Sequence, residues 1–200
     1  MGKKSDITRA KIIETARALF LERGFDGLKM QELADRAGMN KGLLHYYFKS
    51  KEVLFRAIFS EAFESLFGGV METLMSDLEL EPKLHRLVDV YFDKLIANPG
   101  LPIFILSEIH KGPSLEGLPD VRNNVPIIMG MLHESIGKDK DISLPQVFNL
   151  LFTVISLSVF PFAARPLLTY LMPPEVTFEG FVVQRKAYVK KIVSQLIEEL

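Results

Sequence analysis

The sequence predicts an all-α fold, and three features of the chain support that prediction. Apolar residues recur at spacings of three and four, as in Ile12, Ala16, Leu19 and Phe20, which is the period of a helix with one buried face. No segment shows the sustained alternation of apolar and polar residues that predicts a half-buried strand. Glycines and prolines divide the rest of the chain into stretches of helical length.

The N-terminal quarter begins with signals for two helices. The first is predicted over about 6–23, with Gly24 as a left-handed end residue and Phe25 folding back on the helix as the apolar contact of that cap. A short helix is predicted over 30–37. Its inward-facing residues are expected to be Leu33, Ala34 and Ala37.

A tight turn, Gly38-Met39-Asn40, follows the second helix. Asn40 is a favourable N-cap for a third helix over 41–48, and Ser50 for a fourth that extends to about residue 77. Two short helices joined by a turn that contains glycine are typical of a helix-turn-helix, whose second helix enters the DNA major groove. Further helices are predicted near 82–97, 101–110, 120–136, 144–170 (bent at Pro161) and 177–200, with loops at 111–119 and 137–142.

Charge and composition narrow the range of functions. Residues 1–56 contain 12 Lys or Arg and 7 Asp or Glu, whereas residues 57–200 contain 12 and 18. The basic first quarter indicates either contact with a polyanion or chance unevenness between two solvated surfaces. The chain has no cysteine, which excludes disulfides, thiolate metal sites and a cysteine nucleophile. We expect no metal, no cofactor and no catalytic residues.

Two features bear on the cellular location. The chain starts with Met1-Gly2-Lys3-Lys4 and continues into polar sequence rather than an apolar signal segment. The strongest membrane candidate runs from Leu150 to Ala164, which is shorter than the ~20 residues that a spanning helix needs. We therefore expect a buried helix, no membrane partner and a cytoplasmic protein.

The third predicted helix has two dissimilar faces when its residues are placed about 100° apart. One face is suited to packing on the preceding helices, and the other to DNA, although any helical hairpin shows an inner and an outer face. The inner set is Leu44, Tyr47 and Phe48, and the outer set is Lys41, Gly42, His45 and Tyr46.

A dense set of residue types at fixed spacings extends over residues 8–56. Its members are Ile12-Ile13-Glu14-Thr15-Ala16, Leu19-Phe20, Arg23-Gly24-Phe25, Leu33-Ala34, Ala37-Gly38-Met39-Asn40-Lys41-Gly42, Leu44, Tyr47-Phe48 and Ser50-Lys51-Glu52. In order, spacing and type this segment resembles the DNA-binding domain of the TetR family of transcription regulators. The resemblance implies a three-helix DNA-binding domain over 1–50 and a helical effector-binding and dimerisation domain over 51–200.

The outer face of the third helix supplies most of the predicted DNA contacts. Gly42 allows close approach to the duplex, and His45 and Tyr46 can reach base edges or a thymine methyl group. Lys41 and Lys51 are predicted to contact phosphates, which set position and affinity rather than sequence preference. The full set of predicted DNA-binding residues is Lys29, Gln31, Lys41, Gly42, Leu43, His45, Tyr46, Tyr47 and Lys51.

The C-terminal part of the chain carries the features of an oligomerisation domain. Residues 147–160 are apolar on almost every side, as expected for a helix buried on two faces. With the last helix they predict a four-helix bundle across the two-fold axis of a homodimer, the alternative being an intramolecular core for both. The apolar residues of the last helix are Phe181, Tyr188, Val189, Ile192, Val193, Leu196 and Leu200, and its expected solvated face is Arg185, Lys186, Lys190 and Lys191.

Ten of the fifteen phenylalanines lie beyond residue 60. An aromatic-rich helical domain is typical of an apolar small-molecule pocket or of an ordinary core. Gly68-Gly69 interrupts the fourth helix and marks a bend, a close helix crossing or a hinge. The predicted effector-pocket residues are Phe63, Phe67, Tyr91, Phe104, His110, Met129, His133 and Phe152.

The sequence predicts a regulator rather than an enzyme. No G-x-S-x-G elbow, G-x-G-x-x-G loop, P-loop or H-E-x-x-H pair is present. A helical adaptor that binds protein is a further alternative, which the salt dependence of DNA binding would distinguish. We predict a sequence-specific repressor that binds double-stranded operator DNA as a homodimer and responds to a small apolar or amphipathic effector.

Overall fold

The computed structural model describes residues 2–110, 121–136 and 142–199. Its regular elements are all helices, and no strand occurs in these three segments. The all-α prediction is confirmed, while the predicted loop at 111–119 and most of that at 137–142 lie outside the described residues. The helices are α1 (Gly2–Gly27), α2 (Met30–Ala37), α3 (Lys41–Tyr47), α4 (Lys51–Leu74), α5 (Leu80–Ala97), α6 (Leu101–His110), α7 (Val121–Ile136), α8 (Leu144–Ala163), α9 (Arg165–Leu171) and α10 (Phe178–Glu198).

The first helix was predicted to end at about residue 23 with Gly24 as a left-handed end residue; in the structure α1 continues to Gly27, and Gly24 is a kink within it. Its φ of 69° and ψ of 178° lie in a region that glycine adopts far more readily than other residues. The kink returns Phe25 to Phe20, with ring centroids 6.1 Å apart, and places it edge-on to Phe55 at 5.1 Å. The Phe25 contact predicted from the sequence is confirmed.

The helix predicted over 144–170 is divided in two. Ala164, with φ −96° and ψ 14°, separates α8 from α9. Pro161 lies in the last turn of α8 and removes a backbone donor, and Pro166 is in the first turn of α9, where proline favours a new helix. The sequence predicted a bend at this place, and the two prolines turn it into a break.

α8 is longer than the apolar run within it, because it begins at Leu144. Within the part of the chain that the structure describes, it is the one helix with the length and composition to cross a membrane. Its most apolar 18-residue segment has a mean hydropathy of 1.7, and 33% of that segment is buried. The core helix of a soluble protein satisfies the same test.

Close backbone contacts divide the described chain into two units. The first contains the residues up to Phe63 and those from Phe104 to His110, and the second contains Glu64–Ile103 and the described residues after 120. α4 contributes to both units. The domain boundary between residues 50 and 51 stays a prediction.

In the second unit, α5 packs against α8 and α10. An ionic ladder joins α5 to α10, in which the Lys186 ammonium lies 3.0 Å from Asp89 and 2.8 Å from Asp93, and the Lys190 ammonium 2.7 Å from Asp89. Burial alone would raise the pKa of Asp89, but hydrogen bonds from Lys190 and Lys186 outweigh it and lower the pKa. The prediction that Lys186 and Lys190 form a solvated outer face is therefore wrong, because the partly buried Asp89 and the exposed Asp93 of α5 attract them.

His85 extends the same helix pair. Its Nε2 lies 3.1 Å from both the Lys190 carbonyl oxygen and the Ser194 Oγ. These bonds make His85 a structural histidine that fixes the register of α5 on α10.

The two adjacent glycines of α4 differ in their surroundings. A Cβ added to Gly68 would meet nothing within 4 Å, whereas one added to Gly69 would lie 3.1 Å from the Val90 Cγ1. Gly69 therefore marks a close helix crossing. No neighbouring group requires a glycine at position 68, so the main effect of Gly68 is to make the helix more flexible.

We expect Gly68→Ala to raise the free energy of unfolding by up to about 1 kcal/mol, which is the helix-interior difference between the two residues. Gly69→Ala is the matched control, and we expect a smaller gain or a loss because the Val90 side chain must move. Urea unfolding of both variants measures the difference. If the Gly68→Ala protein were less stable than the parent, position 68 would not be a helical site with free space for a methyl group.

Candidate nucleic-acid interface

α2 and α3 form a hairpin whose turn is fixed by backbone and side-chain bonds. Gly38 adopts the left-handed conformation (φ 66°, ψ 39°), and the amide of this C-cap is directed at the carbonyls of Ala34 and Asp35. Asn40 begins α3, since its Oδ1 accepts a hydrogen bond of 2.7 Å from the Leu43 amide. Ala34 belongs to the core of the hairpin, as do the two other α2 residues that were expected to face inward.

Loss of the Asn40 cap is expected to destabilise the hairpin. Asn40→Ala leaves a terminal amide of α3 without its acceptor, which costs about 1 kcal/mol. Asn40→Asp keeps a side-chain acceptor and is the matched control. Thermal unfolding should show a lower midpoint for the alanine variant than for the aspartate variant, and equal midpoints would mean that the cap contributes nothing.

The burial of α3 confirms the predicted inner and outer faces. Leu44 is fully buried and Phe48 is 3% exposed, whereas Tyr46 is 79% exposed. Tyr47 lies between the two faces, half-buried. The exposed outer face consists of Lys41, Gly42, Leu43, His45 and Tyr46.

Tyr47 contacts α1 through its hydroxyl group. The Tyr47 hydroxyl donates a hydrogen bond of 3.2 Å to the Ser5 Oγ. The Arg9 guanidinium lies 5.6 Å from the centre of the Phe48 ring. These two contacts attach α1 to the C-terminal half of α3, so α1 helps to hold the exposed face in place.

The Lys51 side chain bonds to the segment at the end of α1. Its ammonium donates hydrogen bonds to the carbonyl oxygens of Phe25 at 2.8 Å and Leu28 at 3.4 Å, and lies 4.3 Å from the centre of the Phe25 ring. The first residue of α4 thus neutralises carbonyls left free where the end of α1 is interrupted. The phosphate contact predicted for Lys51 competes with these bonds.

The start of α4 is capped as the sequence predicted. The Val53 amide donates to the Ser50 Oγ at 3.3 Å. The pKa of the Glu52 carboxyl lies below its ordinary value, chiefly because it accepts a hydrogen bond from the Ser50 side chain.

Two predicted contacts lie at the start of α2. Lys29 is exposed at the N-cap position and its side chain forms no capping bond. Gln31 is exposed and its Nε2 donates to the Asp35 Oδ1 at 2.9 Å. A cation that sequence reasoning missed is Lys11, whose ammonium lies 3.7 Å from the point where a Cβ on Gly38 would be. Its sequence position on α1 gives no sign of this proximity to the turn.

The predicted pocket residues are distributed over both units. In the first unit, Phe104 contacts Phe55 and Phe59, and Phe63 also contacts Phe59. In the second unit Tyr91 and Met129 are buried. The exposed members are His110, His133 and Phe152, of which His133 contacts the Ile142 carbonyl at 2.7 Å and Phe152 contacts Phe148. The pocket stays a prediction.

Comparison with known proteins places the hairpin in a family. Residues 12–58 match the family described as bacterial regulatory proteins, tetR family. The helix-turn-helix segment of this chain is therefore of the TetR type. The matched segment ends inside α4, so it includes the whole helix-turn-helix. The matched family consists of regulatory proteins.

Two curated relatives each match a little under half of this chain. The HTH-type transcriptional activator FasR of Mycolicibacterium smegmatis is 32% identical over 88 residues, which are 44% of this chain and 40% of the relative. The HTH-type transcriptional repressor KstR2 of Rhodococcus jostii is 31% identical over 90 residues, or 45% and 44%. The chain thus spans less than half the length of either relative in these matches.

The fold likeness extends over nearly the whole chain. The crystal structure of AibR in complex with isovaleryl coenzyme A and operator DNA superposes with a TM-score of 0.64, covering 92% of this chain and 97% of that one at 17% identity. At this identity the likeness shows the shared fold: an N-terminal helix-turn-helix followed by a helical domain.

Proposed function

We propose that this chain is a sequence-specific transcriptional repressor of the TetR family, which binds operator DNA as a homodimer and responds to a small apolar or amphipathic effector. The observation that carries the proposal is the exposed outer face of α3, where His45 and Tyr46 project from a helix anchored by Leu44. A helix held in this way is suited to enter the major groove, where base edges are distinguishable. We place the protein in the cytoplasm, where such a regulator meets its operator.

Basic residues support the proposed binding to DNA. Lys41 is exposed at the start of α3, and Lys11 lies beside the turn before it. Cations around a recognition helix contact phosphates and fix its register on the duplex. We propose Lys29, Lys41 and Lys11 for this role.

The surface of α8 and α10 supports the homodimer. On α8, Leu144, Phe148 and Phe152 are 53%, 42% and 49% exposed at a spacing of four residues, which forms one apolar stripe along the helix. On α10, Val183 and Tyr188 are 69% and 56% exposed. Apolar surface of this kind marks an interface. Within α10, Val189 and Val193 are fully buried in the single chain and belong to its own core.

The names of similar proteins bear on the effector and on the direction of regulation. AibR is described in complex with both isovaleryl coenzyme A and operator DNA, and the relatives include an activator and a repressor. We propose that an effector shifts this chain between DNA-competent and DNA-incompetent states by its difference in affinity for the two. Gly68→Ala should reduce the effect of such a ligand on DNA binding if α4 carries the coupling.

Selection of bound duplexes from a random oligonucleotide pool tests the DNA-binding proposal. We expect enrichment of a palindromic or near-palindromic site, because two symmetry-related α3 helices contact half-sites about one helical turn apart. A lack of enrichment would overturn the proposal. A reporter gene placed behind the selected site then distinguishes repression from activation.

Salt dependence separates the proposed regulator from a protein-binding adaptor. Neutralisation of phosphates releases counterions, so the logarithm of the association constant falls linearly with the logarithm of salt concentration. A flat dependence would favour the adaptor.

A further inference from the structure

Two buried hydroxyl groups of the second unit have no hydrogen-bond partner. Tyr91 on α5 is 1% exposed and Ser158 on α8 is fully buried. Neither oxygen has a partner among the described residues. Buried polar groups in folded proteins are nearly always bonded, so each exception needs a physical reason.

The backbone offers Ser158 a partner that it does not use. Thr73 and Thr153 each donate 2.8 Å hydrogen bonds to the carbonyl four residues earlier in their helices, Gly69 and Asn149. Serine in a helix has the same option. The Ser158 hydroxyl is therefore available to a group outside its own helix.

The two hydroxyls belong to helices that pack against each other, α5 and α8. Phe92 and Phe162 meet edge-on with ring centroids 5.7 Å apart. Tyr91 directly precedes Phe92, and Ser158 lies one turn before Phe162, a rise of about 6 Å. The surrounding residues of both helices are apolar and fully buried, namely Leu87, Val88 and Val154.

A buried cation lies on the same side of α5. Lys83 is 2% exposed and is two turns before Tyr91, at the spacing that shares a helix face. No carboxylate pairs with it in the described segments, whereas Lys186 and Lys190 both have acidic partners. Helical side chains lean toward the N-terminus, which directs the Tyr91 ring toward the turns that carry Leu87 and Lys83. A lysine on this face of α5 would favour an anionic ligand over a neutral or cationic one.

We propose that Tyr91 and Ser158 donate hydrogen bonds to the carboxylate of an amphipathic acid bound between α5 and α8, with Lys83 as the cation that favours an acid over an amine. The inference rests on the proposed effector binding and names the chemical class of the effector. Burial raises the pKa of Tyr91, so its hydroxyl stays a donor throughout the neutral range. Apolar surroundings with a few directed polar groups are typical of small-molecule sites.

Calorimetric titration of the full chain with butyric, decanoic and palmitic acids tests the proposal. Each acid is compared with its methyl ester and with the alkylamine of the same chain length. We expect at least one acid to bind more tightly than its ester and its amine. Tyr91→Phe and Ser158→Ala should each weaken that acid roughly tenfold, which corresponds to one lost hydrogen bond. Lys83→Met should remove the preference for the acid over the ester. Binding of no acid, or unchanged affinity in both hydroxyl variants, would overturn the proposal.

The ligand-free protein provides a second measurement. Removal of an unbonded hydroxyl should leave the melting temperature unchanged or raise it, so we expect this for Tyr91→Phe and Ser158→Ala. Thr73→Val removes a bonded hydroxyl in the same unit and should lower it. A comparable drop for the Tyr91 and Ser158 variants would mean that their hydroxyls are bonded without ligand, which overturns the proposal. Enrichment of operator DNA by the parent protein is independent of these outcomes and tests the proposed function separately.

Discussion

Replacement of His45 or Tyr46 by alanine should abolish most of the sequence preference of DNA binding. A base contact contributes about 1–3 kcal/mol of discrimination, and in a homodimer each substitution removes two. We therefore expect a loss of roughly thirtyfold or more for the selected operator and little change for an unrelated duplex. Because both side chains are exposed on α3, the melting temperature should stay at the parent value. Fluorescence anisotropy with the two duplexes measures the difference.

Lys41→Ala is the matched control for that experiment. Its exposed position at the start of α3 predicts a phosphate contact, whose loss weakens all sequences alike and reduces the salt dependence by about one ion. Lys51 is less suitable, because its ammonium also holds the carbonyls of Phe25 and Leu28. A change in preference for Lys41→Ala, with none for the His45 and Tyr46 variants, would reverse the assigned roles.

Phe152→Asp is expected to give a monomer that has lost high-affinity operator binding. The Phe148 and Phe152 rings lie 4.5 Å apart on the exposed stripe of α8, and an obligate interface buries roughly 2,000 Å² or more of mostly apolar surface. A carboxylate at its centre would be buried without a counter-charge. Sedimentation at micromolar concentration should show the 22.6 kDa chain, whereas we expect the parent to sediment as a dimer.

Lys191→Glu provides the control for charge on the same domain. Lys191 is exposed on α10, so this variant should remain dimeric. Lys190→Glu is unsuitable as a control, since it would break the ion pair with Asp89. A dimeric Phe152→Asp protein would exclude this face of α8 from the interface. Ile192 and Leu196 are two of the apolar residues through which the last helix was predicted to join the dimer. Charge at either position tests a different face, because both are partly buried in the single chain.

The helix-turn-helix could be predicted from the sequence nearly to the residue, and the reason is that its signals are local. The Asn40 cap, the Gly38 turn and the helical spacing of buried residues each act within one or two turns of chain. The bounds predicted for α2 agree with the structure, and α3 ends one residue earlier. Contacts between distant segments carried no such signal. The Lys51 ammonium bonds to carbonyls 23 and 26 residues away.

The second unit shows the same limit. The basic residues of α10 have a spacing that predicts a helix face, but the partner of that face depends on where α5 lies. Tyr91 was predicted as a pocket residue from its aromatic character, whereas Ser158 was not, because a serine in an apolar helix has no distinctive pattern. Only the absence of a bonding partner for both hydroxyls connects the two residues.

The ionic ladder between α5 and α10 has a mechanical consequence. Asp89 bonds to two lysines one turn apart, and His85 bonds to α10 on the next turn, so α10 cannot slide along α5 by a turn without exchanging partners. The two helices should move as one rod. Any molecule that displaces α5 would then reposition α10, and with it the neighbouring subunit of the proposed dimer.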